Sequence, residues 1–295
     1  MAAREPTWPP GQKCAVAITV DFDGDLALLS ADPSLKSREK TLSQFRYGAT
    51  RGVDRLLDLF AELEVPATWF IPGANAREHG KLVERVHNAG HEIGNHGFTH
   101  EDFDRLDLAG QRRAITAGQD ALAEITGAWP RGFRIPQGDF ARGLPEALAE
   151  AGIDWSSSWR GDDLPYVHPA GLVEIPLHYE LEDAPYFVFN LDPPMPAGQC
   201  RIAGYADVLD NWWQEFQAHH RFGLCYVLRL HPEVSGTPGR IGLVRELLQR
   251  IRATGGAWFA TGSEIADWWH ENHPVNEPGH PADVFARLTG DGFDA

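Results

Sequence analysis

Short apolar runs alternate with longer stretches of helical periodicity along this chain of 295 residues, and that alternation limits the fold more than any other feature. Strand-like runs occupy 16–20, 67–71, 91–93, 132–135, 172–175, 225–230 and 257–260. Between them, 51–64, 81–89, 109–126, 145–151, 205–220 and 240–254 repeat apolar residues with helical spacing. In the first of these, Val53, Leu56, Leu57, Phe60 and Leu63 make one apolar face suited to packing on a sheet. Gly90, Gly127 and Gly255 then stand just past helix ends, where a left-handed cap favours glycine. Strands that alternate with helices in this way build βαβ units, and the chain reads as a barrel-like α/β fold. A single α/β barrel commonly needs about 250 residues. One catalytic domain is therefore expected over 1–269, followed by a polar tail over 270–295 that wraps the surface or a neighbouring subunit. The tail histidines His270, His273 and His280 are irregularly spaced among prolines and read as solvated side chains.

The first strand runs into an acidic cluster, Asp21-Phe22-Asp23-Gly24-Asp25. Successive strand side chains point to opposite faces, so Asp21 and Asp23 share a face while Phe22 turns into the core. Carboxylates that close repel unless a cation lies between them or one keeps a proton. A second polar cluster, Gly94 to Asp102, carries His96 and His100 four residues apart. If that stretch turns helically, both imidazoles lie on one face, where neutral nitrogens suit zinc or a comparable divalent ion. Both clusters fall at strand ends, where parallel barrels gather their chemistry.

Five segments in chain order, "DFDG", "HGFTH", "FRIPQGD", "GIDWSS" and "LRLHP", resemble the motif series of the polysaccharide deacetylase family, the chitooligosaccharide-deacetylase-like metal hydrolases. The likeness is nearest to the cytoplasmic peptidoglycan-deacetylase-like and cyclic-imide-hydrolysing branch. It implies a distorted (β/α) barrel of about seven parallel strands. It also implies a divalent metal ion, with zinc expected, held by Asp23, His96 and His100. Asp21 is then the base acting on water, Arg134 orients that base, and His231 is the general acid that protonates the departing nitrogen. Two departures stand out. The base of the usual pattern immediately precedes the metal aspartate, and that position is Phe22 here, so Asp21 acts from one residue further upstream. The aromatic usual inside the Arg-x-Pro-x-Gly segment is Gln137, which points to a non-standard sugar-binding surface.

The resemblance implies hydrolysis of a non-peptide carbon–nitrogen bond, and a small linear or cyclic amide is the preferred substrate. The alternative is N-deacetylation of an amino sugar or peptidoglycan fragment. A third reading, a binding or assembly protein without hydrolysis, is motivated by Phe22 and Gln137. The formal net charge of −16 argues against nucleic acid or an anionic membrane as partner. No run approaches the roughly 20 apolar residues of a membrane span. The start, Met1 to Pro6, lacks the apolar core of a signal peptide, so a cytoplasmic location is expected. Cys14, Cys200 and Cys225 are scattered and odd in number, and read as reduced thiols, with Cys14 and Cys225 in the core. Cytoplasmic relatives often assemble, which implies a homo-oligomer. In the pairs Trp212-Trp213 and Trp268-Trp269, one ring is expected to face the core and the other a partner. The aromatic stretch 183–189 reads as packing around a proline-bounded turn or as a substrate lid.

Overall fold

A computed structural model describes residues 7–191, 194–195 and 202–283. Cys200, the segment Met1 to Pro6 and the end of the tail lie outside the described residues. Strand β1 (Cys14–Asp21) is central, and β2 (Thr68–Ile71), β3 (Glu92–Asn95), β4 (Gly132–Phe133) and β5 (Trp155–Ser156) follow it in parallel order. Strand β6 (Tyr166–Val167) is the antiparallel edge and pairs with β7 (Val173–Glu174), which is parallel to β5. A separate ribbon joins β8 (Asn190–Leu191) to β9 (Pro194–Met195). Both β10 (Cys225–Leu230) and β11 (Ala257–Phe259) return to pair in parallel with β1. Between β7 and β10 the curled sheet is completed by irregular backbone. There Asp183 N donates to Arg229 O (3.1 Å), Cys225 N donates to Asp163 O (3.1 Å), and Glu182 bridges to Arg229. The result is the distorted, parallel-rich barrel that the alternation of elements predicts.

The seven expected strands correspond to β1, β2, β3, β4, β7, β10 and β11. The four that sequence patterning missed, β5, β6, β8 and β9, are two residues long each, too short to display a period. All six expected helices form, as Val53–Leu63, Gly80–Asn88, Leu108–Thr126, Leu144–Glu150, Tyr205–Phe222 and Pro238–Thr254. Helix Gly262–Asn272 continues past the expected boundary between barrel and tail. Gly127 caps its helix in the left-handed conformation, with φ 79° and its N–H on Ala123 O. Helix Val53–Leu63 uses Glu64 for the same purpose, at φ 51°.

The two faces of β1 explain both the core and the site. Cys14, Val16, Ile18, Val20 and Phe22 pack outward with Val53, Leu56, Leu57 and Phe60 of the first long helix. Ala15 and Ala17 face inward, and their small size leaves room for the rings of Phe70 and Trp155, whose centroids stand 5.7 Å apart. Gly132 and Gly262 serve the same ring, because a Cβ at either would lie 2.1 Å from Trp155. Trp8 and Trp269 complete this inner cluster. Beyond Ala17 the same face carries Thr19, Asp21 and Asp23, so the barrel interior turns from apolar to polar toward the strand C-termini. In each tryptophan pair one ring is core, Trp212 and Trp269, as the sequence suggests.

Helix Leu108–Thr126 presses on the loop that bears the histidines. A Cβ on Gly118 would stand 2.3 Å from Gly97 O and 2.8 Å from Asn95 Oδ1. Alanine improves helix propensity by about 1 kcal/mol, but overpacking against backbone costs about 1–3 kcal/mol. Gly118→Ala is therefore expected to lower the melting temperature and, by displacing 95–97, to weaken metal binding. Unchanged melting and metal affinity would show that the loop yields freely.

Candidate metal centre and its surroundings

Strand ends deliver the candidate ligands. Asp23 follows β1, His96 follows β3, and both are nearly inaccessible to solvent. The run from His96 to His100 is not helical. Positive φ at Gly97 (66°) and His100 (57°) folds it into a tight loop, and the imidazoles meet edge to face with centroids 5.1 Å apart. The spacing thus brings the rings together by a different route from the one it suggested. Glu101 staples the loop, its carboxylate accepting from Phe98 N, Thr99 N and Thr99 Oγ1, each at 2.9 Å. Asn95 Oδ1 accepts from Gly97 N at 2.9 Å.

Donor chemistry here fits a cation. His96 Nδ1 lies 2.7 Å from Arg134 O, and since a carbonyl only accepts, Nδ1 carries the proton and Nε2 presents a lone pair. That lone pair faces Asp23 Oδ1 at 3.4 Å, and both atoms are buried without a hydrogen-bond partner. His100 Nε2 lies 3.4 Å from Asp23 Oδ2. Two buried acceptors face to face repel unless a proton or a cation stands between them. A proton is disfavoured, because burial pushes His96 down to about 4 in spite of the Asp23 and Asp21 carboxylates. Ligand atoms of Asp23, His96 and His100 lie within 4.8 Å of one another, the one such cluster among the described residues. One carboxylate and two neutral imidazoles suit a zinc-like divalent ion.

Asp21 is fully buried beside this cluster, and guanidinium groups hold both of its oxygens. Arg134 Nη1 donates to Oδ1 at 2.7 Å and Arg229 Nε to Oδ2 at 2.6 Å. Burial alone would raise its pKa, but Arg134 and Arg229 outweigh that and hold the carboxyl well below the usual range. Arg134 also donates to Thr19 Oγ1, Ser157 O and Ser157 Oγ, at 3.0, 2.8 and 2.9 Å. His231 follows β10, with Nδ1 2.7 Å from Asp183 Oδ1 and Nε2 3.8 Å from Asp23 Oδ2. Burial disfavours its imidazolium, yet Asp183 and Asp23 prevail and push His231 up to about 10.

Three residues of this arrangement were not singled out as site residues from sequence. Asp183 grips His231 by ring and backbone and accepts from Ser235 Oγ, so the stretch 183–189 begins with a structural anchor. The rest of that stretch is packing, with Phe187 buried and Tyr186 edge-on to Trp212. Arg229 stands two residues before His231 on the same inward face, and strand alternation in "LRLHP" carried that signal. Its second partner is Glu182, at 3.2 Å. In the "GIDWSS" segment, half-exposed Asp154 pairs with Arg131 and Trp155 is core, so its part in the site comes through Ser157, which accepts from Arg134.

A cavity of about 1280 Å³ opens beside the centre. Glu182 and Arg229 are part of its lining, together with Gln137, Phe140, Trp159 and Tyr179. Gln137 is exposed there, and its carbonyl accepts from Phe103 N at 2.9 Å.

The family profile for polysaccharide deacetylase matches residues 36–155, which include His96, His100 and Arg134. A solved Mycobacterium smegmatis protein assigned to the polysaccharide deacetylases is 35% identical, with a TM-score of 0.86 over 92% of this chain and 94% of its own. The chain belongs to the polysaccharide deacetylase family. The peptidoglycan deacetylase of Helicobacter pylori is 25% identical over 288 residues, spanning 88% of this chain and 97% of that protein. An allantoinase shares the fold at 22% identity, with a TM-score of 0.78 over 93% of this chain and 96% of its own. As a family member the chain is a metal-dependent hydrolase of carbon–nitrogen bonds other than peptide bonds.

His96→Ala is expected to abolish metal content, and Glu101→Ala to weaken metal affinity by about 10- to 100-fold, as loss of ligand support typically does. Elemental analysis and competition with a chromogenic chelator measure both, and full retention in His96→Ala would refute the ligand set. Asp183→Asn should drop the pKa of His231 in metal-free protein by several units toward or below the ordinary histidine range near 6.5. An NMR titration reads that shift, and a pKa still near 10 would exclude Asp183 as its cause.

Proposed function

We propose that this protein removes the acyl group from an N-acylated amino sugar or a fragment containing one, using a zinc-like ion held by Asp23, His96 and His100. The observation that carries this reading is the cavity. At about 1280 Å³ it exceeds the roughly 300–1,000 Å³ typical of small-molecule sites, and Phe140, Trp159 and Tyr179 supply rings on which sugar faces stack. The peptidoglycan deacetylase among its relatives, matched over nearly its whole length, supports the same substrate class.

When bound, such an ion would supply a polarising charge for the acyl oxygen and lower the pKa of water toward roughly 7. The protein's own groups handle the protons. Asp21, fixed by Arg134 and Arg229, receives the proton of the attacking water. His231, kept protonated by Asp183, gives one from Nε2 to the departing nitrogen. A second reading, a small linear or cyclic amide, rests on Gln137, whose amide side chain stands on the cavity wall where the family usually has an aromatic.

The setting proposed with this function is cytoplasmic and homo-oligomeric. Buried, unpaired Cys14 and Cys225 suit a reducing compartment. No described helix is long and apolar enough to cross a membrane. We place the catalytic unit within 1–269, with 270–295 as a tail whose first three residues continue helix Gly262–Asn272.

Acetate release from N-acetylglucosamine oligomers and peptidoglycan fragments tests the reading directly. His231→Ala and Asp21→Asn are each expected to lower kcat by about 100- to 10,000-fold while retaining the metal. Ring opening of cyclic imides without any acetate release would replace the amino-sugar reading with the small-amide one. Metal loss in His231→Ala would make His231 a ligand instead of an acid.

A further inference from the structure

Beyond helix Gly262–Asn272 the described residues 273–283 are tied back to the barrel. His273 stacks on Trp269, with centroids 4.3 Å apart, and its Nε2 lies 3.3 Å from Thr7 O. Asn276 then ties the tail to the sheet. Its Oδ1 accepts from Val167 N at 2.8 Å and its Nδ2 donates to Val167 O at 2.7 Å. One side chain thereby satisfies both backbone groups of a residue on the edge strand β6, as an added strand would.

His280 makes the second attachment. Ala282 N donates to its Nδ1 at 3.1 Å, which leaves the proton on Nε2, and Nε2 donates to Asp162 Oδ2 at 3.1 Å. The ring also lies over Tyr166, with centroids 4.9 Å apart and planes 36° from parallel. Only 9% of the His280 side chain stays exposed. His280, Pro281 and Ala282 form part of the wall of the same cavity that Glu182 and Arg229 line beside the metal centre.

We propose that this strap selects substrate length: the wall of His280, Pro281 and Ala282 contacts a sugar unit away from the scissile bond and favours N-acylated chains over single units. The inference rests on the amino-sugar reading above. A segment fixed at two points and packed on an aromatic ring presents a rigid surface, which costs little ordering when ligand binds. Asn276 is a positioning residue for that wall, His280 both anchors the wall and forms part of it, and neither belongs to the metal centre.

The test uses Asn276→Ala and His280→Ala in the full chain, with the tetramer and the monomer of N-acetylglucosamine as probes. Loss of a wall contact should raise KM for the tetramer by about tenfold, the equivalent of about 1.4 kcal/mol. The monomer's KM, kcat for both substrates and metal content should stay unchanged. Calorimetric titration with the tetramer supplies a readout independent of turnover, and about tenfold weaker binding by the variants is expected. Equal tetramer affinity in variants and wild type, or no tetramer binding by wild type, overturns the strap. A matching rise in KM for the monomer also overturns it, because the segment would then support the whole site. Wild type that binds the tetramer but releases no acetate overturns the deacetylase reading alone.

Discussion

The buried pair of Arg134 and Asp21 holds the site together. Neither side chain has any solvent exposure, so every charge and donor must be met inside the protein. A guanidinium presents its donors in a fixed fork, and here the fork reaches Asp21 and Thr19 of β1 and Ser157 just past β5. Its plane lies over the Phe70 ring of β2, 4.1 Å from the centroid, and its backbone carbonyl fixes the tautomer of His96 after β3. One residue thus sets the mutual register of four neighbouring strand ends. Removing one member of such a pair strands a buried charge, a loss of about 3–5 kcal/mol. Arg229 extends the row from Asp21 to Glu182, so charges alternate from the barrel interior to the cavity wall.

Much of this was legible from the chain alone, for identifiable reasons. Alternation along a strand has a fixed period, so the sequence set Asp21 and Asp23 on one face and Phe22 on the other, the face that Cys14, Val16, Ile18 and Val20 share in the structure. The helices were legible because their apolar faces repeat over several turns. The loop at His96 was not, since its conformation depends on positive φ at Gly97 and on the carboxylate of Glu101, which closes the turn. Asp183 escaped for a related cause. Its partner is 48 residues away in sequence, and no local period marks a contact made only by the closing of a barrel. The tail histidines misled in the other direction. Spaced among prolines they read as solvated, yet His280, like its neighbour Asn276, finds a partner on β6 or the turn before it that composition does not encode.

The two histidines at the heart of the site show how partners decide chemistry. His96 and His231 are the same residue type, both buried, and both engage an oxygen at 2.7 Å through Nδ1. For His96 the oxygen is a neutral carbonyl, burial dominates, and the ring is driven down to about 4, a lone-pair donor at any ordinary pH. For His231 it is the Asp183 carboxylate, which overcomes burial and drives the ring up to about 10. A pair of like groups pushed apart in this way suits the proposed division between an acid, His231, and a ligand, His96. The sign of the linkage follows. Raised above its unfolded value near 6.5, His231 contributes stability that is complete below that value and is lost as pH climbs toward 10. Alkaline conditions therefore discharge the proposed acid and loosen the β10 end of the site together, through the ring contact of His231 with Asp183.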